Sequence, residues 1–204
     1  GKAFCAGGDV QQFASLLKEK TVPKEMPDNL HHAIKKIRAL AKPVVALING
    51  PCAGAGFSMS LACDYSIAVA HGNFTLAYAN IGLAPDGGST YFLPRILGFK
   101  KAMALFLGRK SLNAQEALAL GLVNEVHDDV HFARASEELV QALAAGPTAA
   151  FAKAKELVNS SYSTSLDAQL DLETQAICAS GASPDFREGI VSFVEKRKAN
   201  FIGK

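Results

Sequence analysis

The segment that organises this chain runs from Pro43 to Gly56 and reads PVVALINGPCAGAG. Its first part, Pro43 to Ile48, is a short continuous apolar run ending in Asn-Gly, which predicts a strand buried on both faces. Its second part is a glycine-rich turn, where a backbone can approach a ligand closely. The uncharged run from Ala55 to Cys63 then predicts a buried helix that begins at the turn. The positive end of this helix favours negative charge beside it.

A second glycine-rich segment, Phe4-Cys5-Ala6-Gly7-Gly8-Asp9, lies near the start of the chain. Each glycine-rich turn can direct one backbone N–H at a common point, and two such donors form an oxyanion hole. No strand or helix precedes this turn in the sequence, so we expect further residues upstream of Gly1. Function is therefore expected at the two turns.

The composition predicts a globular protein. The chain has 204 residues, of which 49% are hydrophobic and 20% charged, enough for one core with a helical appendage. The net charge of +2 comes without a polybasic run, which argues against nucleic acid or a membrane surface as the main partner. The four cysteines have no metal-ligand spacing and the chain has no signal-peptide pattern, so we expect a reducing, cytoplasmic compartment and no metal.

The remaining pattern alternates helices and strands and then becomes helical. Two prolines predict a loop from Thr21 to Asp28, followed by an amphipathic helix from about Asn29 to Leu40. Tyr65 to Ala70 is β-like, and Asn113 is a candidate N-cap for a short helix. From Asp129 onward, turn-forming residues divide the sequence into four predicted helices.

Several motifs occur in a fixed order along the chain. They are Phe4 to Asp9, Asn49 to Gly56 with Leu61-Ala62-Cys63-Asp64, Ile81 to Gly88, Ala114-Gln115-Glu116-Ala117 with Gly121-Leu122-Val123, and Asp185 to Ile190 with Phe201 to Lys204. Together these motifs resemble the crotonase (enoyl-CoA hydratase/isomerase) superfamily, and most closely its 1,2-epoxyphenylacetyl-CoA isomerase-like members. The resemblance covers the whole chain.

The resemblance implies an α/β fold, the ββα spiral, followed by a C-terminal helical region that mediates trimer formation. Residues 1–146 correspond to the spiral core with the acyl-CoA site, and residues 147–204 to the oligomerisation region. The family's N-terminal strands are expected to be absent from this sequence. A homotrimer or a dimer of trimers is the implied assembly, with coenzyme A as substrate carrier and no separate cofactor.

The resemblance also assigns site residues. The oxyanion donors fall on the N–H groups of Gly8 and Ala55. Their neighbours in the two turns are expected to contact the substrate; these are Ala6, Gly7, Asp9 and Gly54.

Two positions depart from the family's hydratases, which carry two glutamates that activate and deliver water. Here these positions hold Ser58 and Tyr78, which are expected to line the substrate site, and neither is a carboxylate base. The remaining acid near the site is Asp86, at a position that several family isomerases use. One carboxylate suffices to move a proton between two carbons, so we expect an acyl-CoA isomerase that shifts a double bond or isomerises a ring.

Other interpretations remain open at this stage. The enzyme could be a hydratase with an unconventional base, or a silent acyl-CoA-binding subunit, and Asp86 could simply cap a Pro-Asp-Gly turn. A dinucleotide fingerprint at Gly54 lacks its third glycine, and Ser58 lacks the elbow of a nucleophilic serine. The five histidines receive no role, and the basic run Glu195 to Lys198 is either a solvated helix end or a neighbour of the CoA phosphates.

Overall fold

The computed structural model describes residues 1–18 and 21–204. The backbone forms two compact units, one of residues 1–38 and 45–136 and the other of residues 39–44 and 137–204. The boundary at residue 146 was predicted between a spiral core and an oligomerisation region. A division by assembly is not tested by these two units, so that boundary stays a prediction.

The first unit contains two small sheets and most of the shorter helices. Its strands are β1 (Val45–Ile48), β2 (Cys52–Ala53), β3 (Tyr65–Val69), β4 (Asn73–Thr75), β5 (Leu112–Asn113) and β6 (Glu125–His127). Its helices are α1 (Val10–Leu16), α2 (Glu25–Ala39), α3 (Ala55–Ala62), α4 (Ser89–Leu97), α5 (Phe99–Gly108) and α6 (Ala114–Ala119), with a 3₁₀ turn at Tyr78–Ile81.

The main sheet is parallel and places β3 between β1 and β6. In β1, Ala46 and Ile48 are buried while Val45 and Leu47 are half-buried, so the predicted strand is confirmed but only one of its faces is fully covered. The second sheet pairs β4 with β2 in parallel and with β5 in antiparallel orientation. The α/β class predicted from the sequence is confirmed.

The chain start packs against the turn that follows β1. The backbones of Cys5 and Cys52 form an isolated parallel β-bridge, and the Ala53 N–H donates to the Cys5 carbonyl at 2.8 Å. Helix α3 then begins so close to Cys5 that a Cβ on Gly56 would lie 2.5 Å from the Cys5 Cβ. The two glycine-rich segments are therefore held together by backbone contacts.

Helix α2 begins earlier than the sequence predicts. Two prolines indicated a loop as far as Asp28, whereas the helix begins at Glu25. Pro27 lies in the first turn, where backbone N–H groups have no partner within the helix, so its missing donor costs nothing there. The helix packs its Ile34 side into the core as the periodicity predicted.

The capping prediction for α6 is confirmed. The Asn113 side chain accepts from the Glu116 N–H at 2.8 Å, and the Glu116 side chain accepts from the Asn113 N–H at 2.9 Å. This reciprocal pair is a capping box that fixes where the helix begins.

The last four helices are α7 (Asp129–Ala144), α8 (Thr148–Ser160), α9 (Leu166–Gly181) and α10 (Pro184–Val194). They confirm the predicted division at the three turn-forming breaks. In the second unit, α8 packs on α9, and the Gln169 side chain donates to the Leu157 carbonyl at 3.0 Å. Within the part of the chain that the structure describes, no helix combines the length and apolarity needed to cross a membrane.

Candidate active site

The structure brings Ser58, Tyr78 and Asp86 into one hydrogen-bonded chain. The Tyr78 hydroxyl donates to Oδ1 of Asp86 at 2.7 Å, and Oγ of Ser58 lies 2.9 Å from the Tyr78 oxygen. Ser58 comes from α3, Tyr78 from the 3₁₀ turn, and Asp86 from the turn before α4. Three predicted site residues distant in sequence therefore meet at one point.

The hydroxyl protons in this hydrogen-bonded cluster can be assigned by counting donors and acceptors. An ionised carboxylate only accepts, so the single Tyr78 proton must point to Asp86 Oδ1. Burial raises the pKa of the Tyr78 hydroxyl above its usual range, which keeps that proton in place. The Ser58 proton is then shared between the Tyr78 oxygen and the Asp86 carbonyl, 3.0 Å away. This arrangement fixes Oδ1 as an acceptor.

The second carboxylate oxygen of Asp86 has different surroundings. Nε2 of His31 lies 3.9 Å from Oδ2, which is too long for a hydrogen bond. Among the residues that the structure describes, no hydrogen-bond donor reaches Oδ2, and the Asp86 side chain retains 30% of its exposure. Oδ2 is therefore the atom of this carboxylate that is free to exchange a proton.

The peptide that links Asp86 to Gly87 is held on both sides. The Asp86 carbonyl accepts from Oγ of Ser58 and from Oγ of Ser89 at 2.9 Å, and also from the Ser89 N–H. On the opposite side, the Gly87 N–H donates to Nε2 of His31 at 3.3 Å. Sequence reasoning gave His31 no role, although its position between apolar Leu30 and Ile34 on α2 placed it beside the buried face.

The turn at Asp86 needs glycine at its next position. Gly87 has a φ of +60°, in the left-handed region that side chains disfavour, and a Cβ there would lie 2.6 Å from the Cβ of Ser58. The absence of a side chain at Gly87 therefore lets the turn lie directly against α3. The Pro-Asp-Gly sequence thus forms a turn as the simplest interpretation predicted, but the aspartate side chain points to Tyr78.

The two glycine-rich turns lie side by side in the same unit. A Cβ on Gly7 would lie 3.7 Å from Cα of Gly54, and one on Gly54 would lie 3.6 Å from Cα of Gly7. Ala55 is the first residue of α3, where an N–H has no acceptor within its own helix. Within the described residues, neither the Gly8 nor the Ala55 N–H donates to a protein acceptor.

The other predicted substrate contacts differ in their surroundings. Ala6 is exposed. Asp9 caps α1, since its Oδ1 accepts from the Gln11 N–H at 2.8 Å and the Gln12 N–H at 3.3 Å. The structure thus gives Asp9 a capping role, and a contact between Asp9 and substrate stays a prediction.

An open apolar groove of about 490 Å³ lies in the first unit, next to the first glycine-rich segment. Its lining comes from α1, from residues around Val22, and from Ile81 and Leu83 of the segment that leads to Asp86. Nearly every lining side chain is apolar, so the groove fits a hydrocarbon or aromatic group better than a charged one.

The structure also bears on the basic run Glu195 to Lys198 and on metal binding. Arg197 is engaged by Glu188, with Nη1 at 2.6 Å and Nη2 at 2.9 Å from its carboxylate oxygens, and by Glu195. This guanidinium is therefore committed to carboxylates, and a role of the basic run at CoA phosphates stays a prediction. Among the described residues, no cluster of three or more His, Cys, Asp or Glu side chains could hold a metal ion.

A comparison with known protein families matches residues 1–204 to Enoyl-CoA hydratase/isomerase. This chain belongs to that family. A protein of Rhodobacter capsulatus named "Probable enoyl-CoA hydratase" is 40% identical over 205 residues, which cover all of this chain and 79% of the relative. The 1,2-epoxyphenylacetyl-CoA isomerase of Escherichia coli is 35% identical over 213 residues, with coverage of 100% and 79%.

A solved structure supports the same relationship. The crystal structure of an enoyl-CoA hydratase from Polaromonas sp. JS666 superposes with a TM-score of 0.92 at 34% identity, over 99% of this chain and 79% of that one. The family and the crotonase-like fold expected from the motifs are therefore confirmed. Both hydratase and isomerase names occur among the relatives, so membership establishes the enzyme family at this coarser level.

Proposed function

We propose that the chain is an acyl-CoA isomerase in which Asp86 moves the proton. The observation that carries the proposal is the asymmetry of the Asp86 carboxylate. Oδ1 accepts from Tyr78 at 2.7 Å, while Oδ2 has no hydrogen-bond donor within the described residues. A general base needs one such atom with access to substrate.

The reaction needs a second element, a site for negative charge. In the proposed complex, the thioester oxygen lies between the Gly8 and Ala55 N–H groups. Asp86 Oδ2 takes a proton from the acyl chain, the C–H electron pair moves into the enolate, and the charge reaches the thioester oxygen. Oδ2 then returns the same proton to a different carbon, so the acid ends as it began and no co-reactant is consumed. Each preorganised donor contributes about 3–4 kcal/mol to such a transition state.

The spacing along α3 supports a common site for these parts. Ser58 lies three residues after Ala55, which is a rise of about 4.5 Å along the helix. Its Oγ contacts both the Asp86 carbonyl and the Tyr78 hydroxyl. The predicted oxyanion donor and the proposed base are therefore linked through one helical turn.

Hydratase activity is the alternative that the relatives' names keep open. Hydration requires water to be held and deprotonated, and the two positions that serve this in family hydratases are Ser58 and Tyr78. Both hydroxyl protons are already used within the Asp86 cluster. We therefore expect crotonyl-CoA hydration to be far slower than isomerisation; a hydration rate of tens per second, ordinary for an enzyme, contradicts this part of the proposal.

The apolar groove supports an acyl group that is hydrocarbon or aromatic. The test is a thermal-shift panel of acyl-CoAs with straight-chain, branched and aryl groups, followed by turnover assays on those that bind. Coenzyme A is then the substrate carrier, and no separate cofactor is required. Binding without any turnover across the panel favours the silent acyl-CoA-binding alternative instead.

We also propose assembly as a homotrimer or a dimer of trimers. Helices α9 and α10 expose large apolar side chains, including Leu166 at 74%, Ile177 at 71% and Phe193 at 83% of full exposure. Their burial between subunits would exceed about 800 Å² per partner. Sedimentation at micromolar concentration measures the assembly, and a stable monomer contradicts it. The composition and the family support a cytoplasmic enzyme without nucleic-acid or membrane partners.

A further inference from the structure

We infer that His31 is a positioning residue for the proposed base, acting as a neutral acceptor that holds the Asp86–Gly87 peptide. This inference rests on the proposed function, because its effect on turnover requires Asp86 to be the base. His31 lies on α2, outside every motif that carries the family resemblance.

The tautomer of His31 follows from its contact. The Gly87 N–H donates to Nε2, so this nitrogen must present a lone pair. A neutral imidazole with an accepting Nε2 carries its proton on Nδ1. A proton on Nε2 would instead face the Gly87 hydrogen. The contact therefore requires the neutral Nδ1–H form.

Within the described residues, no second acceptor meets the N–H of this peptide, so the peptide depends on His31. Its carbonyl is fixed by Ser58 and Ser89, whereas within the described residues His31 is the acceptor for its N–H. Gly87 is buried, so an unpaired N–H there costs free energy. A glycine also changes φ easily, so sterics alone do not prevent rotation of this peptide.

The position of this turn determines where the Asp86 carboxylate lies. The Asp86 Cα belongs to the turn that Ser58, Ser89 and His31 hold, so a displacement of the turn moves the carboxylate with it. Oδ1 must stay on Tyr78 for Oδ2 to remain the free oxygen. His31 thereby acts through backbone geometry, and its 3.9 Å distance from Oδ2 leaves room beside the atom that exchanges the proton.

The test compares two substitutions that distinguish loss of the hydrogen-bond acceptor at position 31 from a change in side-chain volume. His31→Gln keeps an oxygen acceptor, whereas His31→Leu keeps bulk and removes it. We expect the leucine variant to lose about tenfold in kcat with KM changed less than about twofold, and the glutamine variant to recover most of the loss. His32 is exposed on the same helix and supplies the matched controls, His32→Gln and His32→Leu, which should retain full turnover.

A second measurement needs no substrate. Nitrogen-15 NMR of histidine-labelled native protein should show His31 with unprotonated Nε2 and protonated Nδ1, and hydrogen exchange at the Gly87 amide should accelerate in His31→Leu. An Nε2–H tautomer overturns the inference, as does full kcat in His31→Leu when Asp86→Asn is inactive. If Asp86→Asn keeps full turnover, the proposed function fails, while the NMR result still decides whether His31 holds the peptide.

Discussion

Two aspartates, one in each compact unit, show how differently this fold uses the same side chain. Asp185 is buried, at 5% exposure, and its two oxygens accept from the Ile202 N–H at 2.8 Å and the Gly203 N–H at 2.9 Å. Asp86 keeps 30% of its side-chain exposure and places one oxygen on Tyr78. Saturation of both oxygens makes a structural link, while an unsaturated oxygen beside an open turn can exchange a proton.

The same contrast separates the partners of the two residues. The donors to Asp185 are backbone amides of the chain end, which fixes the terminal segment to α10. The donor to Asp86 is a side chain that itself contacts α3. Loss of an accepting oxygen at Asp185 should therefore affect folding, and removal of the carboxylate at Asp86 should affect chemistry.

The largest expected effect is at Asp86. Asp86→Asn keeps the shape of the side chain and removes the base, so isomerase turnover should fall by at least about a hundredfold while acyl-CoA binding persists. Turnover assays and thermal shifts with a bound acyl-CoA measure the two quantities separately. Unchanged turnover would exclude Asp86 from the mechanism and remove the contrast with Asp185.

A comparably large effect is expected at the backbone donor. Ala55→Pro deletes one N–H at the first position of α3, where proline is tolerated. We expect kcat to fall by about 10²-fold to 10³-fold, as for loss of one oxyanion donor. Circular dichroism should report an intact fold. If turnover survives in a folded variant, the thioester oxygen is not held at Ala55.

A smaller effect, and one of a different kind, is expected at Asp185. Asp185→Asn leaves one accepting oxygen for two backbone N–H groups that are partly buried, so the free energy of unfolding should fall by about 1–3 kcal/mol. The kcat of the folded protein should stay within about twofold. Chemical denaturation and active-site-normalised turnover provide the two readings. A loss of kcat with unchanged stability reverses the assignment of roles to the two aspartates.

These assignments also show how far the sequence could predict the molecule. The strand-turn-helix around Gly54 and the C-terminal helices were predictable because apolar periodicity and turn residues act locally. Asp86 was selected through the family resemblance, and the sequence could not reveal its contact with Tyr78. That contact depends on where a 3₁₀ turn places a hydroxyl.

Two further features lay beyond local patterns. Prolines indicated a loop over the start of α2, because the sequence does not show that Pro27 falls in the first turn, where its missing N–H is harmless. The role of His31 arises from packing between α2 and a turn more than fifty residues later. Only the position of His31 beside the buried face of α2 hinted that it could meet another element.

The smallest expected effect concerns a third carboxylate, at the surface of the second unit. The Arg197 guanidinium, together with the Asn200 N–H, lowers the pKa of Glu188 to about 2 from 4.5. A folded-state pKa below the unfolded one gives stability that is present above about pH 4.5 and is lost as the pH falls toward 2. Glu188→Gln should therefore flatten the decline of unfolding free energy over that window, while turnover near neutral pH stays unchanged. Chemical denaturation at pH 7, 4 and 3 measures the decline of unfolding free energy, with Glu173→Gln on α9 as the exposed control. An equal decline in the native protein and the Glu188→Gln variant would show that ionisation of Glu188 contributes nothing to the pH dependence of stability.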